Sequence, residues 1–197
     1  MSYFMRNVGV ESRKTYQQKI DSGFFSKYMI GIGLDIGFRG YLKDTETILP
    51  TAIGVDSDYP GYDGKTLPFT DASQDFVYTS HCLEHISDYK QAIREWMRVL
   101  KTDGYLIISV PHKFLYEKKE QLPSRHNGDH KRFYTAASLL SEIEESLEPN
   151  TFRIRHLQEN DAGAVYTDPR TAHGRGDYEI EIVIQKLNPL FAWSKNL

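Results

Sequence analysis

Apolar residues fall along this chain in short runs closed by an acidic or turn-forming residue, and these runs alternate with stretches in which apolar positions recur every three or four residues. The first kind reads as buried strand and the second as helix. The organising stretch is residues 29–40, where the apolar run 32–36 carries Asp35 near its end and enters a turn at Gly37. Glycine admits positive φ and lets a ligand approach bare backbone. Turns at the carboxyl ends of strands are where open α/β sheets bind nucleotides. A second run, residues 51–55, ends at Asp56, 21 positions after Asp35. That is near the spacing at which a βαβ unit brings a carboxylate to a ribose.

A third strand is predicted over residues 75–80. Residues 105–110 lack polar alternation, as expected of a strand covered on both faces, and Pro111 ends it. Upstream, the spacing of Tyr16, Ile20, Phe24, Phe25 and Tyr28 predicts one helix from Glu11 to about Tyr28, weakened at Gly23. It reads as a packing helix, with a lid over the glycine turn as the alternative. Ser87 or Asp88 is placed to cap a helix through Ile93, Trp96, Met97, Val99 and Leu100, with residues 101–104 as its basic end and glycine stop. Thr135 caps another helix to about Leu147, whose Glu142, Glu144, Glu145 and Glu148 read as a solvated face. Residues 153–158 form a strand, and residues 178–185, alternating Ile180, Ile182 and Ile184 with Glu179, Glu181 and Val183, a closing one. The polar stretches 112–131 and 160–177 exceed simple connections and read as functional loops.

The chain's 197 residues suit one domain with a substantial core. It divides into an N-terminal helical segment (1–28), a cofactor-binding core (29–110), acceptor-side loops and a helix (111–177), and a closing strand with an apolar tail (178–197). A net charge of -3 argues against a nucleic-acid binder. No apolar run is long enough to span a bilayer, and the N-terminus lacks a signal-peptide pattern. The single cysteine, Cys82, reads as a small core residue and fits a reducing cytoplasm, so the expected location is cytoplasmic. The tail around Leu190 and Trp193 is expected to dock on its own domain. Nothing in the sequence excludes a homo-oligomer.

With these segments in order, residues 30–140 resemble the class I S-adenosylmethionine-dependent methyltransferases. The likeness is carried by Leu34-Asp35-Ile36-Gly37, Ile53-Gly54-Val55-Asp56, Leu67-Pro68-Phe69, Asp75-Phe76-Val77, Leu83-Glu84-His85 and Val99-Leu100-Lys101 through Gly104. More narrowly, Asp129-His130-Lys131-Arg132-Phe133-Tyr134-Thr135 is similar to bacterial methyltransferases of surface-glycan and sugar-modification pathways. The resemblance implies a Rossmann-like α/β sheet, mostly parallel with an antiparallel closing strand, and S-adenosyl-L-methionine as cofactor. It places Asp35 near the cofactor's cationic methionine end, Gly37 against the cofactor, Asp56 on the ribose hydroxyls and Asp63 at the adenine amino group. Ser80 and His81 would flank the methionine moiety.

Two departures stand out. The family's turn reads Asp-x-Gly-x-Gly-x-Gly, whereas Arg39 and Tyr41 hold the second and third glycine positions, with Gly40 between them. Either the turn is tighter, or Gly40 takes over while Arg39 points outward, or Arg39 pairs with the cofactor carboxylate. Family members also fit a helix and a strand between the residues matching Asp56 and Asp63. Seven residues cannot hold both, at rises of about 1.5 and 3.3 Å per residue. The edge strand after Asp56 is therefore expected to be missing, leaving about six strands.

His81-Cys82-Leu83-Glu84-His85 formally matches the His-x-x-Glu-His of zinc peptidases. It begins at a strand end rather than on a helix, and no third ligand is distinguishable. No metal is expected, and Glu84 with His85 reads as a structural pair near the sheet edge. The chemistry expected is O-methylation of a small-molecule or glycan-linked hydroxyl, which needs a base. His112, His130 and His81 are the candidates, the first two preferred. Arg125, Lys131 and Arg132 are candidates for a phosphate or acidic sugar. N-methylation or methylation of another metabolite, and a catalytically silent binding module, are the alternatives.

Overall fold

The computed structural model describes residues 3–40 and 44–188. Six strands form one sheet: β1 (Gly33–Ile36), β2 (Ala52–Val55), β3 (Gln74–Ser80), β4 (Leu100–Pro111), β5 (Phe152–Asn160) and β6 (Glu179–Lys186), in the order β2-β1-β3-β4-β6-β5. The strands β2, β1, β3 and β4 pair in parallel; β6 runs antiparallel to β4, and β5 antiparallel to β6. Between Val55 and Gln74 the chain forms turns and bends, with no helix or strand. The absence of an extra edge strand thus follows from the short gap in the sequence.

Two helical layers cover the sheet. On one face lie α4 (Tyr89–Val99) and α5 (Ala136–Ser146), whose Ile93, Trp96, Val99, Leu139 and Ile143 pack on Leu34, Val77, Leu106 and Ile182. Asp88 caps α4 by accepting the Gln91 N–H, and Thr135 caps α5 in a reciprocal pair with Ser138. The other face is covered from the N-terminus. Among the described residues, no helix stands between β1 and β2. Its place is filled by aromatic side chains of α2 (Tyr16–Asp21) and α3 (Phe24–Tyr28), which pack on Phe76, Tyr78, Ile107 and Val183.

Several local expectations need correction. The single N-terminal helix is three: α1 (Val10–Lys14), α2 and α3. Gly23, at φ 71°, breaks the run and lets the chain turn so that both aromatic faces reach the sheet. Helix α4 ends at Val99, and residues 101–104 belong to β4, because Leu100 is already extended and its pairing with Gln74 starts the strand. Nor is Glu142 solvated; it accepts from the Tyr134 hydroxyl at 2.7 Å and pairs with Arg132 at 3.3 Å. Strand β6 has both faces covered, so Glu179 and Glu181 are as buried as the isoleucines between them. The tail beyond residue 188 and Tyr41 lie outside the described residues. No described helix is long and apolar enough to cross a membrane.

The buried glutamates are met by the N-terminal segment. Lys19 pairs with Glu181 at 2.7 Å, with 3% and 4% of the two side chains exposed. Burial opposes charge on Lys19, but Glu181, Tyr78 and Glu179 outweigh it and raise its pKa. Removing one partner of such a pair leaves an uncompensated buried charge, costing about 3–5 kcal/mol, whereas replacing both with apolar groups is close to neutral. Lys19→Met is expected to lose stability on that scale in urea denaturation, and Lys19→Met combined with Glu181→Leu to recover most of it. A double variant no more stable than the single one would contradict this account.

Candidate functional site

The parallel strands deliver their carboxyl ends to one edge of the sheet, and β5 ends and β6 begins at the same edge. There β1 runs into Gly37 at φ 76°, where an added Cβ would lie 2.8 Å from the Cys82 sulfur, so both the backbone and the space require glycine. Arg39, not Gly40, takes up the left-handed conformation next, at φ 59°, a strain of about 1–2 kcal/mol for a residue with a side chain. Asp56, just past β2, holds this turn: it accepts the Arg39 N–H at 2.9 Å and the Ser57 N–H at 2.8 Å. The Phe38 ring lies where a Cβ at Gly54 or Gly40 would fall, so these glycines make room for it.

Asp35 is buried behind the turn and accepts the Ile48 N–H at 2.6 Å. Burial raises its pKa to about 7; the Ile48 hydrogen bond opposes this and the charge of Asp56 adds to it. Asp35, Gly37, Arg39, Ser80 and His81 line one cleft, roofed by residues 8–12. The buried Ser80 hydroxyl has no hydrogen-bond partner among the described residues. A buried carboxylate, bare backbone and an unpaired hydroxyl form a set that suits the ammonium and carboxylate of an amino acid. The space left is about 20 Å³, scarcely more than a water needs, so residues 8–12 must move aside for anything larger. The N-terminal segment therefore both packs, through α2 and α3, and roofs the cleft, through α1. Asp63 stands apart, exposed, capping the Lys65 and Thr66 N–H groups, which lower its pKa.

The three candidate histidines occupy different settings. His81, at φ 50°, lines the cleft and places Nε2 3.1 Å from Glu179. Burial opposes its protonation, but the hydrogen bond to Glu179 and the fields of Glu179 and Glu84 outweigh that, so its pKa is raised. His130 is buried with Nδ1 against Glu117, whose second oxygen accepts from the Ser124 hydroxyl at 2.6 Å. His112 caps the turn that follows β4: Nδ1 accepts from the Phe114 and Leu115 N–H groups, and Nε2 faces Glu159 at 3.3 Å. His112 also lines a second cavity, about 570 Å³, with Lys118, Glu120, Asp161, Tyr166, Asp168 and Arg170. Arg132 is structural, donating to the Leu83 and Ser87 carbonyls.

Glu84 and His85 lie past the carboxyl end of β3, a central strand, at the edge where the strand ends converge. Sequence reasoning missed Glu117 and Glu179, the carboxylates that hold His130 and His81. Glu117 had no signal in a polar loop. Glu179 had one: its strand pairs with β4, whose unbroken apolar run already implied that both faces were covered.

Comparison with known proteins follows the same lines. Residues 47–108 match the family described as methyltransferase domain. A probable S-adenosylmethionine-dependent methyltransferase of Mycolicibacterium smegmatis is 29% identical over 116 residues, which are 59% of this chain and 43% of the relative. One from Mycobacterium tuberculosis is 35% identical over 75 residues, 38% of this chain and 27% of the relative. The chain thus spans less than half the length of these curated relatives. Among solved structures, a methyltransferase of Thermotoga maritima named as dependent on S-adenosylmethionine superposes with a TM-score of 0.54 at 19% identity, over 91% of this chain and 92% of the other. The sheet is Rossmann-like, as in that structure.

Asp35 supplies a test of the cleft's electrostatics. Its pKa rises from 3.8 to about 7 on folding. The stability this group contributes is therefore complete below pH 3.8 and lost as pH rises through about 7. Across that window the melting temperature of the native protein is expected to fall relative to that of Asp35→Asn. Parallel pH profiles for the two proteins would refute the assignment.

Proposed function

We propose that this chain, built as one domain on a methyltransferase sheet, is an S-adenosylmethionine-dependent methyltransferase that O-methylates a sugar or glycan-linked hydroxyl. The observation that carries the reading is the convergence of Asp35, Gly37, Ser80 and His81 on one cleft, beside a turn held by Asp56. When bound, the cofactor supplies a methyl group on a sulfonium, already activated toward a nucleophile. Asp35 would offset its cationic end and Asp56, with lone pairs left on both oxygens, would take the ribose. Arg39 lines the same cleft and would take the carboxylate. Asp63, exposed on the loop after β2, would meet the adenine, and Gly40 would border the turn.

A poor nucleophile such as a sugar hydroxyl must lose its proton as it attacks. Of the three candidates, His81 stands in the cleft itself, with Glu179 orienting its ring through Nε2. The neighbouring cavity, where His112 stands among acidic and basic side chains and Tyr166, offers a polar, aromatic-edged lining of the kind that suits a sugar. Acceptor binding there, with His81 as base, is the arrangement that the geometry supports. A silent binding module is the second reading, favoured by the strained Arg39 and the closed roof over the cleft. Methylation of nitrogen or of another metabolite would use the same cleft.

Calorimetry with S-adenosylhomocysteine separates these readings. The native chain is expected to bind it, and Asp56→Ala to weaken it by about 10–100-fold, the worth of hydrogen bonds to a charged group. In a labelled-methyl transfer screen of sugar nucleotides, glycan fragments and small phenols, His81→Ala is expected to lower kcat by about 10²–10⁴-fold. Binding without transfer to any of these would favour the silent module, and transfer to the phenols alone would overturn the sugar assignment.

A further inference from the structure

Past the end of β3, the turn Leu83–His85 buries Glu84 completely. Neither of its carboxylate oxygens has a hydrogen-bond partner among the described residues. Three imidazoles nevertheless surround its Oε1: His85 Nε2 at 3.7 Å, His81 Nδ1 at 3.8 Å and His130 Nε2 at 3.9 Å. One ligand atom from each of Glu84, His85 and His130 lies within 4.8 Å of the others. An orphaned buried carboxylate among imidazoles that approach without bonding to it is costly as it stands. We propose that Glu84, His85 and His130 bind a divalent transition-metal cation of the zinc or manganese class.

Three features carry the assignment. Bonds of about 2.0–2.2 Å in a tetrahedral site put ligand atoms roughly 3.4 Å apart, so the two glutamate–histidine separations close with shifts of about half an ångström. The far side of the His130 ring is already held, as metal-bound histidines require, with Nδ1 against Glu117. The turn that carries Glu84 is clamped, its own carbonyl accepting the Lys131 N–H at 2.8 Å and that of Leu83 accepting from Arg132 at 3.0 Å. Two imidazoles with one carboxylate favour zinc, iron or manganese over magnesium or calcium, which prefer oxygen. His130 is 45 positions beyond His85, which is why the sequence showed no third ligand.

His81 joins this cluster to the cleft, reaching Glu84 with Nδ1 while lining the space beside Ser80 and Gly37. An ion there, with three protein ligands, keeps a position open for an acceptor oxygen and would lower the pKa of a hydroxyl bound to it. This role rests on the methyltransferase reading; the binding site does not.

The test is titration of the purified, chelator-treated chain with zinc and with manganese, followed by calorimetry and elemental analysis. One zinc or manganese per chain is expected, with magnesium much weaker. Glu84→Gln should reduce affinity more than the 10–100-fold typical of losing an outer partner, and Glu117→Gln should fall within that range. His156→Ala, outside the cluster, should bind as the native chain does. Without metal, Glu84→Gln should melt higher than the native chain, because it removes an uncompensated buried carboxylate; a purely structural glutamate would make it melt lower. Absence of zinc and manganese binding, binding that survives Glu84→Gln, or equal affinity for magnesium would each overturn the site. The methyltransferase reading stands or falls separately, on S-adenosylhomocysteine binding.

Discussion

A carboxylate taken out of water must meet a cation or several donors, or the fold loses more than its contacts return. This protein buries Glu84, Glu117, Glu179 and Glu181 near the edge of the sheet that carries its cleft. Lys19 answers Glu181, Thr15 and His81 answer Glu179, and His130 answers Glu117. Much of the architecture follows from these pairings. The N-terminal helices stay on the sheet because they supply Lys19 and Thr15 as well as aromatic area. The loops after β3 and β4 meet because His130 must lie between Glu117 and Glu84.

The same pairings divide the functional edge into parts. Toward β1 and β2 lies a tight cleft built from backbone turns, Asp35 and Ser80. Toward β4 and β5 lies a wide polar cavity lined by the loop 161–175. Between them His81 and the Glu84 cluster form a strip of buried ionisable groups. The roof over the cleft comes from the chain segment that supplies Lys19, so opening the cleft is coupled mechanically to a buried ion pair.

Where the chain forms a short buried strand, its order and ends were legible, because apolar runs ending in Asp, Pro or a turn admit few alternatives. Asp35, Gly37 and Asp56 fall at the carboxyl ends of the neighbouring strands β1 and β2, where their spacing put them, and the short gap after Asp56 implied the absent strand. Helix breaks were less legible. Gly23 marked a weak point, but only packing against Phe76 and Tyr78 makes three helices better than one. Leu100 continued the helical period of α4 and was claimed by the sheet, because pairing with β3 outweighs local propensity.

The sequence by itself determined the sheet, its missing edge, and the glycine turn with its two carboxylates, since these depend on local periodicity and on distances along one or two connected segments. Tertiary structure alone decided which charges are buried together. Glu84, Glu117, His130 and Glu179 come from loops and strands up to 95 positions apart. Along the chain, each looks like an ordinary polar residue. Only when both faces of β6 are covered and the two loops close on one end of the sheet does water leave them, and with it the freedom to be unpaired.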